Sequence, residues 1–304
     1  MKHTIVFIFS CLMFSSVCCG QRYLNDYAYD EETHYKQAMS LFEQSKIAHC
    51  VEECKGLLRH EGKWAEDAQV LLALCREIQG FDRAAIYHYK QLLKKRSATG
   101  AFHYGVMMEK KGRLKEAEEL FQKSVIFDRT LTEAHLHLSN VMLIQGYRFK
   151  AMMPLYYALL ISNDAKNSIH AYGQLVGLWR RSAQAIDIFN RRKSDGDAFN
   201  AEMDKYIATI ATSDSISTME GSEQIKKLHE NTSKLFSHLL EVSEENLDFY
   251  QVYYSDFFVT LVPRNFVEPY VYYIADSKYH PAVLEWVNDN SYLFNEFRLW
   301  MEAQ

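Results

Sequence analysis

Residues 98–131, ATGAFHYGVMMEKKGRLKEAEELFQKSVIFDRTL, and residues 132–165, TEAHLHLSNVMLIQGYRFKAMMPLYYALLISNDA, follow one template. Gly105, Gly112, Ala117, Phe121 and Ser124 in the first answer to Ser139, Gly146, Ala151, Leu155 and Ala158 in the second, each pair 34 apart. A fixed period of this length, with small residues at fixed places, predicts a repeated helix–turn–helix unit. The small residue in helix A (Gly105, Ser139) and that in helix B (Ala117, Ala151) let two amphipathic helices approach closely. Gly112 and Gly146 fall in the turn between them, where a positive φ is tolerated. Phe121 and Leu155 follow the helix B small residue by one turn and share its face. One such pair cannot bury its apolar face alone, so neighbouring pairs must stack.

The spacing of twelve between the two small positions extends in both directions. It holds for Ala73 and Ala85 with Gly80 in the turn, for Ala38 and Cys50 with Ser45 in the turn, and for Gly173 and Ala185 with Arg180 in the turn. Five repeats are therefore expected, starting near residues 31, 66, 98, 132 and 166, in an all-α solenoid over 31–193. Pro154 lies inside helix B of the fourth repeat and should kink it or mark a late start.

Outside the repeats the composition changes. Residues 1–20 carry Lys2, an apolar run over Thr4–Val17 and small residues at Cys18–Gly20. This reads as a secretory signal cleaved after Gly20, with a lipid anchor on Cys18 or Cys19 as the alternative. No second apolar run is long enough for a membrane span in the mature chain. Residues 194–246 read as a charged junction (Arg191–Asp197), a helix near 198–211, a polar loop over Thr212–Ser222 and a helix near 222–243. Residues 247–304 hold a dense aromatic run, from Phe249, Tyr250, Tyr253, Tyr254, Phe257 and Phe258 to Trp286, Phe294, Phe297 and Trp300. Offsets of three and four, with Pro263, Pro269 and Pro281 between them, predict three or four short helices forming an aromatic cap whose buried tyrosines need hydroxyl partners.

The repeats resemble the tetratricopeptide (TPR) family, best over 66–165. The usual repeat-closing proline is replaced by Arg129 and Asn163, and the first helix A aromatic by Ala101 and His135. The stretches DFYQVYYSDFF, FVEPYVYYI and MMPLYYALLISND resemble those of exported bacterial TPR proteins with a helical C-terminal region. The resemblance implies a right-handed superhelix whose helix A groove holds a protein segment, here in the periplasm or cell envelope. The matching groove positions are Tyr35, Met39, Phe42, Val70, Leu74, Glu77, Phe102, Val106, Glu109, Leu136, Asn140 and Leu143. Some of these side chains could equally pack inside the solenoid. The basic clamp by which some TPR domains hold a C-terminal carboxylate is not matched, since only Asn140 is of a suitable type.

Function classes can be narrowed further. With 34 Lys and Arg against 39 Asp and Glu, the net charge of −5 argues against nucleic acid. No nucleophile elbow, phosphate-binding loop, dinucleotide turn or His-Glu-x-x-His motif is present, so neither an enzyme nor a cofactor is expected. Asp248, Asp256, Glu268, His280 and Glu285 are the only candidates for a catalytic site in the last third. Cys50 and Cys54 share one helical face, with Cys75 near them in the repeat register. Core packing is the expected role, with a disulfide to Cys75 and a metal site as alternatives. His103, His135 and His137 read as surface histidines, with metal binding or pH sensing as the alternative. Asn231-Thr232-Ser233 is a glycosylation acceptor only in a eukaryotic secretory route. The expected function is a non-enzymatic interaction or scaffold module binding a protein or peptide. The alternative is a structural subunit docking through its aromatic tail.

Overall fold

The computed structural model describes residues 30–162, 164–180, 198–211, 219, 221–242, 248–275 and 281–303. The proposed signal, the second helix of the fifth repeat with Ala185 and Phe189, the 191–197 junction, most of the polar loop and His280 lie outside the described residues. Every regular element among them is helical, with no strand. The helices are α1 Glu31–Glu43, α2 Ile47–His60, α3 Ala65–Ile78, α4 Asp82–Lys94, α5 Ala98–Lys110, α6 Leu114–Phe127, α7 Thr132–Gln145, α8 Arg148–Ile161 and α9 Ala165–Arg180. They continue with α10 Ala198–Ala211, α11 Gly221–Glu241, a π-helical turn Gln251–Ser255 leading into α12 Asp256–Val259, α13 Val267–Ala275, α14 Pro281–Asp289 and α15 Ser291–Glu302. Repeat starts fall within one residue of those expected, at 31, 65, 98, 132 and 165. By internal packing the chain divides into residues 1–103 and 104–304.

In the first unit α1 packs on α2, α2 on α3 and α3 on α4, and α1 also touches α3. That is the helical-repeat order, each pair lying against the next. The small-residue positions Ala38, Cys50, Ala73 and Ala85 are fully buried. Ser97 starts α5 with its hydroxyl accepting the Gly100 N–H at 3.0 Å, a side-chain N-cap.

The turns repeat as faithfully as the helices. The N–H groups of Lys46, Phe81, Arg113 and Tyr147 each return to the carbonyl five residues back, on Leu41, Arg76, Met108 and Met142. The residue just before each donor, Ser45, Gly80, Gly112 or Gly146, has a positive φ. Ser45 therefore does the glycine's job, at φ 58°.

In the second unit Ala117, Ser139 and Ala151 are fully buried. A Cβ built on Gly105 would lie 2.6 Å from Phe121 Cε1, which is why a glycine stands there. Gly173 differs: it is exposed, and a Cβ there would meet nothing within 4 Å among the described residues.

α8 is the hub of this unit. It packs against α7, α9, α10, α13 and the π-helical turn, and Ala151 through Leu160 are all buried. Its sequence, RFKAMMPLYYALLI, is apolar on every side, as a helix enclosed all round must be. Pro154 sits seven residues in, so a late start is excluded, and the Lys150 carbonyl loses its intrahelical donor. The buried carboxyl of Asp204 on α10 accepts the Phe149 N–H at 2.6 Å and so caps α8 from a neighbouring helix.

The aromatic region lies on the helix B side of the third and fourth pairs. Its hydroxyls have the partners that burial demands. Tyr253 donates to the Val125 carbonyl (2.6 Å), Tyr270 to the Tyr156 carbonyl (2.9 Å) and Tyr250 to Glu118 (3.1 Å). Tyr156 in turn meets Thr232 at 2.7 Å and accepts from Trp179 at 3.1 Å. Burial raises the phenol pKa of Tyr250, Tyr254 and Tyr270. His135 is also fully buried, correcting the surface reading. Its Nε2–H donates to the Arg129 carbonyl at 3.1 Å, and its Nδ1 accepts from Tyr254 at 2.7 Å. Burial pushes its pKa down to about 4.

Candidate functional site

The groove candidates separate by burial. Val70 is buried and belongs to the core. Tyr35, Met39, Phe42, Leu74 and Phe102 in the first unit are half-buried, as are Val106, Glu109, Leu136, Asn140 and Leu143 in the second. Half-burial is what a helix A face requires if one side packs and the other stays open. In the first unit Tyr35 stacks on Trp64 at 4.6 Å, and Met39 and Phe42 pack against the core. That part of the face is apolar.

The second unit brings helix A residues together around a cavity of about 350 Å³. α7 contributes Glu133, Leu136, His137 and Asn140, on one face because they stand three, four and seven apart. α9 contributes Asn167, His170 and Gln174. These last three are the 34-residue equivalents of Glu133, Leu136 and Asn140, so one set of template positions supplies both walls. Leu136 and Asn140 were legible as groove residues. Asn167, His170 and Gln174 were not, although extending the same ruler into the fifth repeat finds them.

Glu109 anchors the polar wall. Its Oε1 accepts from Asn140 Nδ2 at 2.5 Å, and its Oε2 lies 2.7 Å from His137 Nδ1. Burial works to raise its pKa, but hydrogen bonds from His137 and Asn140 outweigh that and hold the carboxyl below its usual range. Asn140, Asn167 and Gln174 offer amide donors and acceptors in a row. The lining holds no lysine or arginine, and no hydroxyl or thiol nucleophile. This arrangement can pair with the main chain of an extended segment.

Four of the five catalytic candidates of the last third are described, and each has its own surroundings. Asp248 caps the start of the aromatic helix through the Tyr250 and Gln251 N–H groups, and pairs with Lys150 at 3.1 Å. Glu268 accepts from the Trp286 indole, while Asp256 and Glu285 face solvent. Glu116 is held by Arg113 and Glu119 is exposed. Asn231 and Thr232 of the glycosylation triplet are buried inside α11, closed to a glycan. Cys50, Cys54 and Cys75 are free and buried in the first unit's core. Among the described residues no group of three or more His, Cys, Asp or Glu is placed to hold a metal ion, and no helix is long and apolar enough to cross a membrane. Compared with protein-family models and with curated proteins, the chain matches none.

Proposed function

We propose that the protein is a TPR-type interaction module that holds an extended protein segment along its helix A faces and carries no catalytic activity. The observation that carries this reading is the cavity of about 350 Å³ lined by equivalent positions of α7 and α9. Its amides suit a peptide main chain and its walls hold no hydroxyl or thiol nucleophile. The first twenty residues support export, which would place the module in the periplasm or cell envelope.

The test is selection of displayed peptides against the protein. It is followed by titration of the selected sequences into wild type and into Leu136→Ala/Asn140→Ala. Selected peptides should bind the wild type and lose tenfold or more of their affinity to the double variant, with far-UV circular dichroism unchanged. A panel from which no peptide emerges, or one indifferent to the double variant, would overturn the reading.

A second reading has the C-terminal helices docking in a larger assembly. Leu284, Tyr292 and Leu299, all largely exposed on α14 and α15, support it. Most of the aromatic run is already used inside the protein, which favours the groove.

A further inference from the structure

We propose that Cys50 and Cys75 form a redox-active pair, and that a disulfide between them fastens α2 to α3. Their sulfurs lie 3.4 Å apart across two directly packed helices, joining residues 25 apart in sequence. A disulfide needs about 2.05 Å between sulfurs, so the gap to close is little more than an ångström, within reach of side-chain rotation. Cys54 Sγ is also near, 3.9 Å from Cys50 Sγ. That second pair is one turn apart on a single helix, with its Cβ atoms projecting side by side, and this suits the crossed Cβ–S–S–Cβ dihedral poorly. Ala38, Val51, Leu57, Ala68, Leu71 and Leu72 form the apolar cluster around the sulfurs.

Chemically, the reaction is thiol–disulfide exchange with a low-molecular-weight disulfide such as oxidised glutathione. Cys50 is the attacking sulfur. Thiol hydrogen bonds from Cys54 and Cys75 favour its thiolate, and the same bonds push the other two thiols up. The Cys50 thiolate attacks one glutathione sulfur and releases one glutathione thiolate. The Cys75 thiolate then attacks the mixed disulfide at the Cys50 sulfur and releases the second. Two electrons and two protons pass from the protein dithiol to the oxidant, and two glutathione molecules leave reduced. All three sulfurs are fully buried, so exchange runs through local opening of α2 and α3 and is slow. The product ties helix B of the first pair to helix A of the second. α3 also carries Leu74, so the bond would stiffen the helix A face of the first unit.

The test uses the full chain. It is equilibrated in glutathione buffers from reducing to oxidising, quenched with iodoacetamide in denaturant, digested with trypsin and weighed without reduction. The expected product under oxidising conditions is the peptide of residues 47–55 joined to that of residues 64–76, at the sum less two hydrogens plus one carbamidomethyl group on Cys54. It should persist in Cys54→Ala and vanish in Cys50→Ala and Cys75→Ala. The oxidised wild type should melt on the order of 5 °C above the reduced form, a readout that needs no variant. Three alkylated cysteines after oxidation, a link through Cys54, or glutathione adducts alone would overturn the proposal.

Discussion

Replacing Gly105 by alanine tests the close approach on which the repeat depends. The new Cβ would stand 2.6 Å from Phe121 Cε1, 2.8 Å from Cδ1 and 3.0 Å from Cζ. Real Cβ atoms do not come that near a ring carbon, so either the ring or one helix must move. The ring has little freedom, being fully buried with His137 packed 5.4 Å from its centroid. Overpacking of this kind costs about 1–3 kcal/mol. Alanine returns up to about 1 kcal/mol of helix propensity relative to glycine. The net expectation is a loss of about 1–2 kcal/mol. Urea unfolding followed by far-UV circular dichroism reads this as a lower midpoint. Gly173→Ala, also in a helix but with nothing within 4 Å of the added Cβ among the described residues, should instead gain about 0.5–1 kcal/mol. Phe121→Leu in the Gly105→Ala background should cost less than the two changes separately, because the smaller side chain relieves the clash. If Gly105→Ala stabilises as much as Gly173→Ala, the α5–α6 approach described here is wrong, and so is the reason given for the small residues.

Three further outcomes are expected. Ser45→Gly should raise stability by about 0.5–1 kcal/mol, since a left-handed conformation costs a non-glycine residue about 1–2 kcal/mol and glycine gives part of that back in entropy; the melting midpoint reads it. His135 titrates near 4 in the fold and near 6.5 when unfolded, so the unfolded chain binds the extra proton first as pH falls. Its contribution should be intact at pH 7, decline below about 6.5 and fall by about 2 kcal/mol by pH 5, and His135→Phe should flatten that slope in urea titrations at the two pH values. Asp204→Ala should cost about 1–3 kcal/mol by leaving the buried Phe149 N–H without its acceptor, and amide exchange at Phe149 should accelerate.

The sequence carried the helix pairs almost to the residue, because close packing leaves so few side chains admissible. Ala85, Ala117 and Ala151 are fully buried, as small residues at a close helix approach must be. Features set by distant parts of the chain were harder to see. Ser45 stands where the template has a glycine, and the hydrogen bond from Lys46 to Leu41 holds the same geometry without one. His135 looked like surface because histidine usually is. It stands where the template wants an aromatic, and Tyr254, 119 residues downstream, completes its hydrogen bonding. Of the seven residues that line the cavity, only Leu136 and Asn140 stood among the groove candidates read from the sequence. The three on α9 belong to the fifth repeat, where Arg180, expected in the turn, is still helical in α9. The seat of the aromatic run on α8 was hinted at only by the lack of a polar side in RFKAMMPLYYALLI.

The enclosure of α8 also has a consequence for synthesis. Tyr156 receives its hydrogen bond from Tyr270, 114 residues later in the chain. At about 5–20 residues per second, the ribosome needs roughly 6–20 s to make that stretch. During that interval a nascent helix bearing Met152, Tyr156 and Leu160 is uncovered on the side that Tyr270 later closes. Folding from the N-terminus can therefore run ahead only as far as the third pair, and the fourth must wait for residues up to Tyr270 to emerge.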